Sequence, residues 1–168
     1  MRLSILKWRP SDFVLLSSLP WTHLRDLTIT LSSTDVLLDV YTTAFQACTR
    51  LSSLRLTIAE HVSLITGDAI HSFVALMCNL RTLQIFDFAG YVHTLSFLDA
   101  HLDTLEGLTL WLNGEVPMPQ LATLHSMKRL KTLAMRMIDM PAEMHEFLRL
   151  IYAPPSRLIP SLEFAEVW

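Results

Sequence analysis

The chain carries seven histidines and two cysteines, the side chains best suited to hold a metal or to act as nucleophiles. Convergent metal ligands need a spacing such as H-x-x-x-H or C-x-x-C, which brings the donors onto one point of a helix or turn. His61, His71, His93, His101, His125 and His145 fall at no such spacing and are expected as scattered residues at helix surfaces and ends. Cys48 and Cys78 are expected as buried packing thiols, where free cysteine usually resides. A disulfide or redox pair between them is the alternative. No G-x-S-x-G elbow and no Walker-type loop occur, and four glycines leave little for a phosphate-cradling loop. Asp99, Asp103 and Glu106 are spread over a helix and the turn after it, which reads as a solvated acidic face. Lys128, Arg129 and Lys131 cluster at one turn, but three charges in a chain of net charge −3 do not make a nucleic-acid surface. The chemistry expected is therefore that of a binding protein: no enzyme, no cofactor, no metal.

What organises the chain is the stretch Leu51-Ser52-Ser53-Leu54-Arg55-Leu56, of the form L-x-x-L-x-L. It returns at Leu24, Leu80, Leu105 and Leu130, with weaker copies at Leu3 and Ile159. Successive starts lie 21, 27, 29, 25, 25 and 29 residues apart. A period of this length marks stacked supersecondary units. Alternation at period 2 gives each copy a short strand with one apolar face, which only stacking can bury. Parallel strands need a crossover, and the spacing leaves room for a helix. An apolar residue stands three before each first Leu (Trp21, Cys48, Met77, Leu102, Met127), as a plug where the connection turns into the strand.

The fold class expected is α/β: a leucine-rich-repeat solenoid over 1–168, with a curved parallel sheet on the concave side and helices on the convex side. About six to seven repeats form a single domain. Hydrophobic content of 51% against 17% charged supplies a large core. No apolar run reaches transmembrane length. Arg2, Lys7 and Arg9 before Phe13-Val14-Leu15-Leu16 imitate a signal peptide, but Pro10 and Asp12 interrupt it and the residues fit the repeat phase. The expected location is cytoplasmic or nuclear.

In detail, strands are expected at Leu3–Trp8, Asp26–Leu31, Ser53–Ile58, Thr82–Phe86, Gly107–Leu112, Thr132–Met137 and around Leu162 and Phe164. Asp87 falls where an inward apolar residue belongs, so a bulge or an early strand end is expected there. Helical connections are expected up to Leu19, from Ser33–Asp35 to Ala47, from Thr66–Asp68 to Met77, at Val92–Ala100, at Leu121–Met127 and from Pro141 to Tyr152. Chain ends that fall on repeat strands, with no polar capping unit, are expected to belong to a longer solenoid or to self-associate.

Residues between the leucines face away from the core. They form columns, one running Arg55, Gln84, Thr109 and the next Phe86, Trp111, Arg136. The expected columns end at Ile5 and Lys7 on one side and at Ser161 and Glu163 on the other. Most of this face is small and polar. Phe86, Trp111 and Arg136 are the exception, and such residues are typical interface anchors. Two readings stand: a concave protein-binding site, or aromatic residues folded over the sheet edge against loops.

The L-x-x-L-x-L strands resemble the leucine-rich-repeat family across nearly the whole chain. Cys48-Thr49-Arg50-Leu51-Ser52-Ser53-Leu54-Arg55-Leu56 looks like the repeats of F-box leucine-rich proteins. Leu19-Pro20-Trp21-Thr22-His23-Leu24-Arg25-Asp26-Leu27-Thr28-Ile29 resembles the fungal branch of that group. The family Asn after the strand appears only at Asn113; Ser32, Ala59, Phe88 and Ile138 stand elsewhere. The resemblance implies a substrate-recognition region of a ubiquitin-ligase adaptor, tied to the ligase core through an N-terminal F-box missing from this sequence. It implies a protein partner on the concave sheet, and neither nucleic acid nor membrane. A structural or decayed solenoid fragment, self-associating through uncapped ends, is the other reading.

Overall fold

A computed structural model of the chain describes residues 1–5, 19–31, 46–59, 72–88, 90, 92, 95–113, 122–137, 149, 151, 159 and 161–167. Seven strands form one parallel sheet in sequence order: β1 Arg2–Ile5, β2 Asp26–Leu31, β3 Ser53–Ile58, β4 Thr82–Asp87, β5 Gly107–Leu112, β6 Thr132–Met137 and β7 Phe164–Val167. The molecule is thus α/β, with a single seven-stranded parallel sheet and, among the described residues, short helical segments. No helix among the described residues is long and apolar enough to cross a membrane.

The alternation seen in the sequence is the alternation of burial. Along β2, β3, β4 and β5 every second residue is buried. The register aligns Leu27, Leu54, Leu83, Leu108 and Leu133 on successive rungs. All five are at most 1% exposed. Ile29, Leu56, Ile85, Leu110 and Met135 make a second buried row in the same way. The first leucines of each copy, Leu24, Leu51, Leu80, Leu105 and Leu130, close the core at the strand entrances. Beside them Trp21, Cys48, Met77 and Met127 are buried as plugs.

Both outer copies sit three residues away from the expected alignment. Leu3 pairs with Leu27, where Leu6 was expected, so Arg2 and Ser4 rather than Ile5 and Lys7 enter the columns of Asp26 and Thr28. At the other end Phe164 pairs with Thr132 and Glu166 with Ala134, in the places expected for Ser161 and Glu163. Ile159 is the buried plug, and the amide of Leu162 donates to its carbonyl at 3.0 Å, as Leu51 does to Cys48 and Leu24 to Trp21. Leu162 therefore precedes β7. The cause is the pattern itself: plug, first Leu and second Leu recur every three residues, so a shift of three still matches apolar to apolar.

The fourth unit differs from expectation at two points. β4 keeps its full six residues, with Asp87 in register between Ile58 and Leu112 and no bulge. Asp87 points inward and is completely buried. Its carboxylate accepts the amide of Gly90 at 3.0 Å and that of Val92 at 2.7 Å, so it ties down the chain leaving the strand. Gly90 has φ of +74°, and a Cβ there would lie 2.5 Å from the Asn113 carbonyl oxygen; the turn requires glycine. Asn113 is exposed and donates its side-chain amide to the Phe88 carbonyl at 2.8 Å.

In the next unit His101, not Leu102, takes the plug place. Leu105 donates back four residues to His101, where Leu24, Leu51, Leu80 and Leu162 donate back three, and Leu102 is left half-buried. His101 was expected at a helix surface and is instead fully buried. Its Nε2 lies 3.0 Å from the Val74 carbonyl, which can only accept, so Nε2 carries the proton. Nδ1 has no partner. Burial pushes the His101 pKa below its usual 6.5, and the Val74 hydrogen bond opposes this only in part.

Among the described residues of the connections, 3-10 helices occupy Trp21–His23, Ser96–His101 and Ala122–Ser126, and 72–75 are helical. The expected helices before Leu19, from 33 to 47 and from 141 to 152 lie wholly or mostly outside the described residues. Cys48 is buried as expected, and its thiol is pushed up to about 11 by desolvation. Cys78, by contrast, is exposed, one residue beyond the plug Met77, and no disulfide joins the two.

Candidate protein-binding face

The sheet face opposite the core carries the candidate site. Thr57, Phe86, Trp111 and Arg136 occupy successive rungs of one row. Arg55, Gln84 and Thr109 occupy the row before it. All six expected site residues thus lie on one face of four adjacent strands, β3 to β6. The fourth strand stays in register despite Asp87, which is why the row is continuous.

The side chains make a linked strip. The Arg136 guanidinium lies 4.3 Å from the centre of the Trp111 ring. The Trp111 and Phe86 rings are 6.0 Å apart and tilted by 45°. The Arg55 guanidinium lies over the other aromatic, 4.5 Å from the Phe86 centroid. The order is cation, ring, ring, cation. Rungs are about 4.8 Å apart, so the strip crosses the strands over about 15 Å. Cation–π contacts of this kind contribute about 0.5–1 kcal/mol each at exposed sites and hold the long arginine chains in place.

Phe88 was not expected here. It lies just past β4, and its ring is 5.8 Å from that of Trp111 at 57°. Trp111 is therefore half-buried between two phenyl rings, and the strip has an aromatic side as well as an aromatic row. Only the displacement of Phe88 by one from the inward position hinted at this. Beside the strip, toward β2, a cavity of about 500 Å³ is lined by Arg2, Asp26, Thr28, Thr30, Arg55 and Gln84, among others. Arg2 was not expected here because the first strand is shifted by three, whereas Asp26 stands in the outward column where its spacing puts it.

No group of three metal-ligating side chains occurs among the described residues. Gln84 and Thr109 can exchange hydrogen bonds with a peptide backbone, the rings offer apolar area, and the two guanidinium groups can meet carboxylates. Searched against family models, curated proteins and solved structures, the chain matches none of them.

Proposed function

We propose that this chain is a non-enzymatic protein-binding module, a leucine-rich-repeat solenoid whose concave sheet grips a protein partner. In this reading it is the substrate-recognition region of an F-box-type ubiquitin-ligase adaptor, working in cytoplasm or nucleus. One observation carries the binding site: the strip Arg55–Phe86–Trp111–Arg136 sets two half-buried rings between two exposed guanidinium groups on an otherwise small and polar face. Trp and Arg are the residues most enriched among interface hot spots. The ligase role rests on the resemblance of the repeats alone.

The test is a photocrosslinking residue placed at Thr109, compared with one placed at Asp99 in the Ser96–His101 connection. A partner captured from Thr109, lost on Trp111→Ala and not captured from Asp99, supports the concave site. Trp111→Ala should weaken binding by about 2 kcal/mol or more if the ring is an anchor. Capture from Asp99 alone, with strong salt dependence and indifference to Trp111, refutes it. Co-purification of the captured partner in ubiquitinated form separates the adaptor from a simple binding module.

A second reading has its own observation. Phe164 is 54% exposed on β7, an outermost strand of the seven. A strand with a free edge can pair with another chain. Self-association that Phe164→Lys abolishes, seen by sedimentation, would favour a structural solenoid fragment.

A further inference from the structure

The strand entrances form a second polar surface, along the edge of the sheet. Arg25, Ser52, Arg81, Glu106, Lys131 and Glu163 each stand immediately before a strand. Two residues earlier a parallel row holds Arg50, Asn79 and Arg129. The backbone ladder between these turns fixes both rows: the amides of Ser52 and Ser53 donate to Arg25, those of Arg81 and Thr82 to Ser52, and those of Glu106 and Gly107 to Arg81.

Charges here follow a pattern. Arg81 pairs with Glu106 at 3.1 Å, Lys128 with Asp103 at 2.9 Å and Lys131 with Glu163 at 3.8 Å, each across one rung. Arg25, Arg50 and Arg129 have no carboxylate in reach among the described residues. The chain is not short of acids, having 16 against 13 Lys and Arg. Yet these three arginines and Arg81 line one open trough of about 580 Å³ with no acidic residue among the described lining. Like charges gathered on one wall, while their neighbours are neutralised, leave a local field that favours an anion.

Shape narrows the ligand. Arg25 stands at β2 and Arg129 at β6, four rungs apart, or about 19 Å. One isolated phosphate would engage one or two guanidinium groups and leave the others idle. An extended chain rises about 3.3 Å per residue, so about six residues span the arginines. Beyond Arg129 the next strand entrance carries Glu163, so a longer polyanion such as nucleic acid would meet a carboxylate there. We infer that the trough of Arg25, Arg50, Arg81 and Arg129 binds a short extended protein segment bearing several anionic side chains, carboxylate or phosphate. Guanidinium forks suit either group, in bidentate pairs. The inference is independent of the concave face, which lies on other residues.

The experiment is fluorescence anisotropy of the full chain with three labelled octapeptides. One alternates glutamate with serine, one is the same peptide with its serines phosphorylated, and one has glutamine in place of glutamate. The acidic probes should bind, the neutral one should not, and binding should weaken as salt rises from low to high. A ratio above about 10-fold between the phosphorylated and plain acidic probes assigns phosphate as the favoured group; a smaller ratio assigns carboxylate. The double variant Arg50→Ala, Arg129→Ala should lose about 10-fold or more, with an unchanged circular dichroism spectrum. Trp111→Ala should bind the probes normally. Equal binding of the neutral probe overturns the inference, as does an unaffected double variant. Tighter binding of a single-stranded DNA octamer than of the phosphorylated peptide also overturns it, in favour of nucleic acid.

Discussion

Asp87 is the sharpest place to test the physical account of this chain. It is a fully buried carboxylate in a row otherwise made of Leu31, Ile58 and Leu112. Two backbone bonds are at stake, to Gly90 at 3.0 Å and Val92 at 2.7 Å. Hydrogen bonds to a charged group contribute about 1.5–3 kcal/mol each. Gly90 is half-buried, so water can replace part of what it loses; Val92 is buried, and water cannot follow. Asp87→Ala should therefore cost about 3–4 kcal/mol, a large part of a typical domain stability of about 5–15 kcal/mol. Asp87→Asn keeps one oxygen but turns an amide NH₂ toward the second donor, so it should cost about half as much. Urea unfolding measures this, with the midpoint falling while the m-value holds. Amide exchange at Val92 should speed up in both variants. A cost below about 1 kcal/mol for Ala, or an Asn variant as unstable as the Ala one, would refute the view that the carboxylate anchors the chain after β4.

Three further outcomes follow from the same geometry. Leu83 is fully buried between Leu54 and Leu108, and Leu83→Ala should cost about 2–5 kcal/mol by thermal or urea unfolding. His101 is neutral in the folded state with its pKa lowered from 6.5, so above that value it does not bear on stability. Below it the unfolded chain takes up a proton first, and stability should fall by about 1.4 kcal/mol per pH unit until the folded state also protonates. Melting temperatures across pH 5–8 (an about 3-unit scan) should show this slope, and His101→Gln should flatten it. Buried Cys48, with its thiol pushed up to about 11, should resist alkylation in the native protein, whereas exposed Cys78 should react; mass spectrometry distinguishes the two.

Where the sequence and the structure part company, the reasons are local. The central strands were legible because Leu-x-Leu alternation has one solution once the neighbours are in place. That is also why Phe86, Trp111 and Arg136 fall in one row. The outer strands were misaligned because Ile159, Leu162 and Ala165 repeat at three, an ambiguity that apolar matching cannot resolve. The placing of Arg55 over Phe86 depends on a diagonal reach between rungs, which spacing does not encode. His101 displaced Leu102 because one extra residue in the turn rotates the interior position back by one. Cys78 was misjudged for a related reason: next to a plug residue, the chain already faces outward. The arginines of the trough stand at two fixed places, just before and just after the first Leu of a copy, but in four different copies, so only the folded edge brings them together.

Sequence-order stacking has a mechanical consequence. Each strand is bonded only to the strand before and the strand after it, 25 to 29 residues away in β2 through β6. Closing each successive loop costs nearly the same entropy, because that cost grows only with the logarithm of loop length. Such an array behaves as a one-dimensional chain of couplings, in which an injury spreads no further than the neighbouring interfaces carry it. Loss of β1 or β7 removes one interface and leaves the others intact, so peeling runs inward from the flanks. β4 is the middle rung. Within the sheet, β1–β3 and β5–β7 are joined by hydrogen bonds through it, and its inner row is the one interrupted by a carboxylate. Asp87 and the backbone amides it holds therefore bear directly on the cooperativity between the two halves.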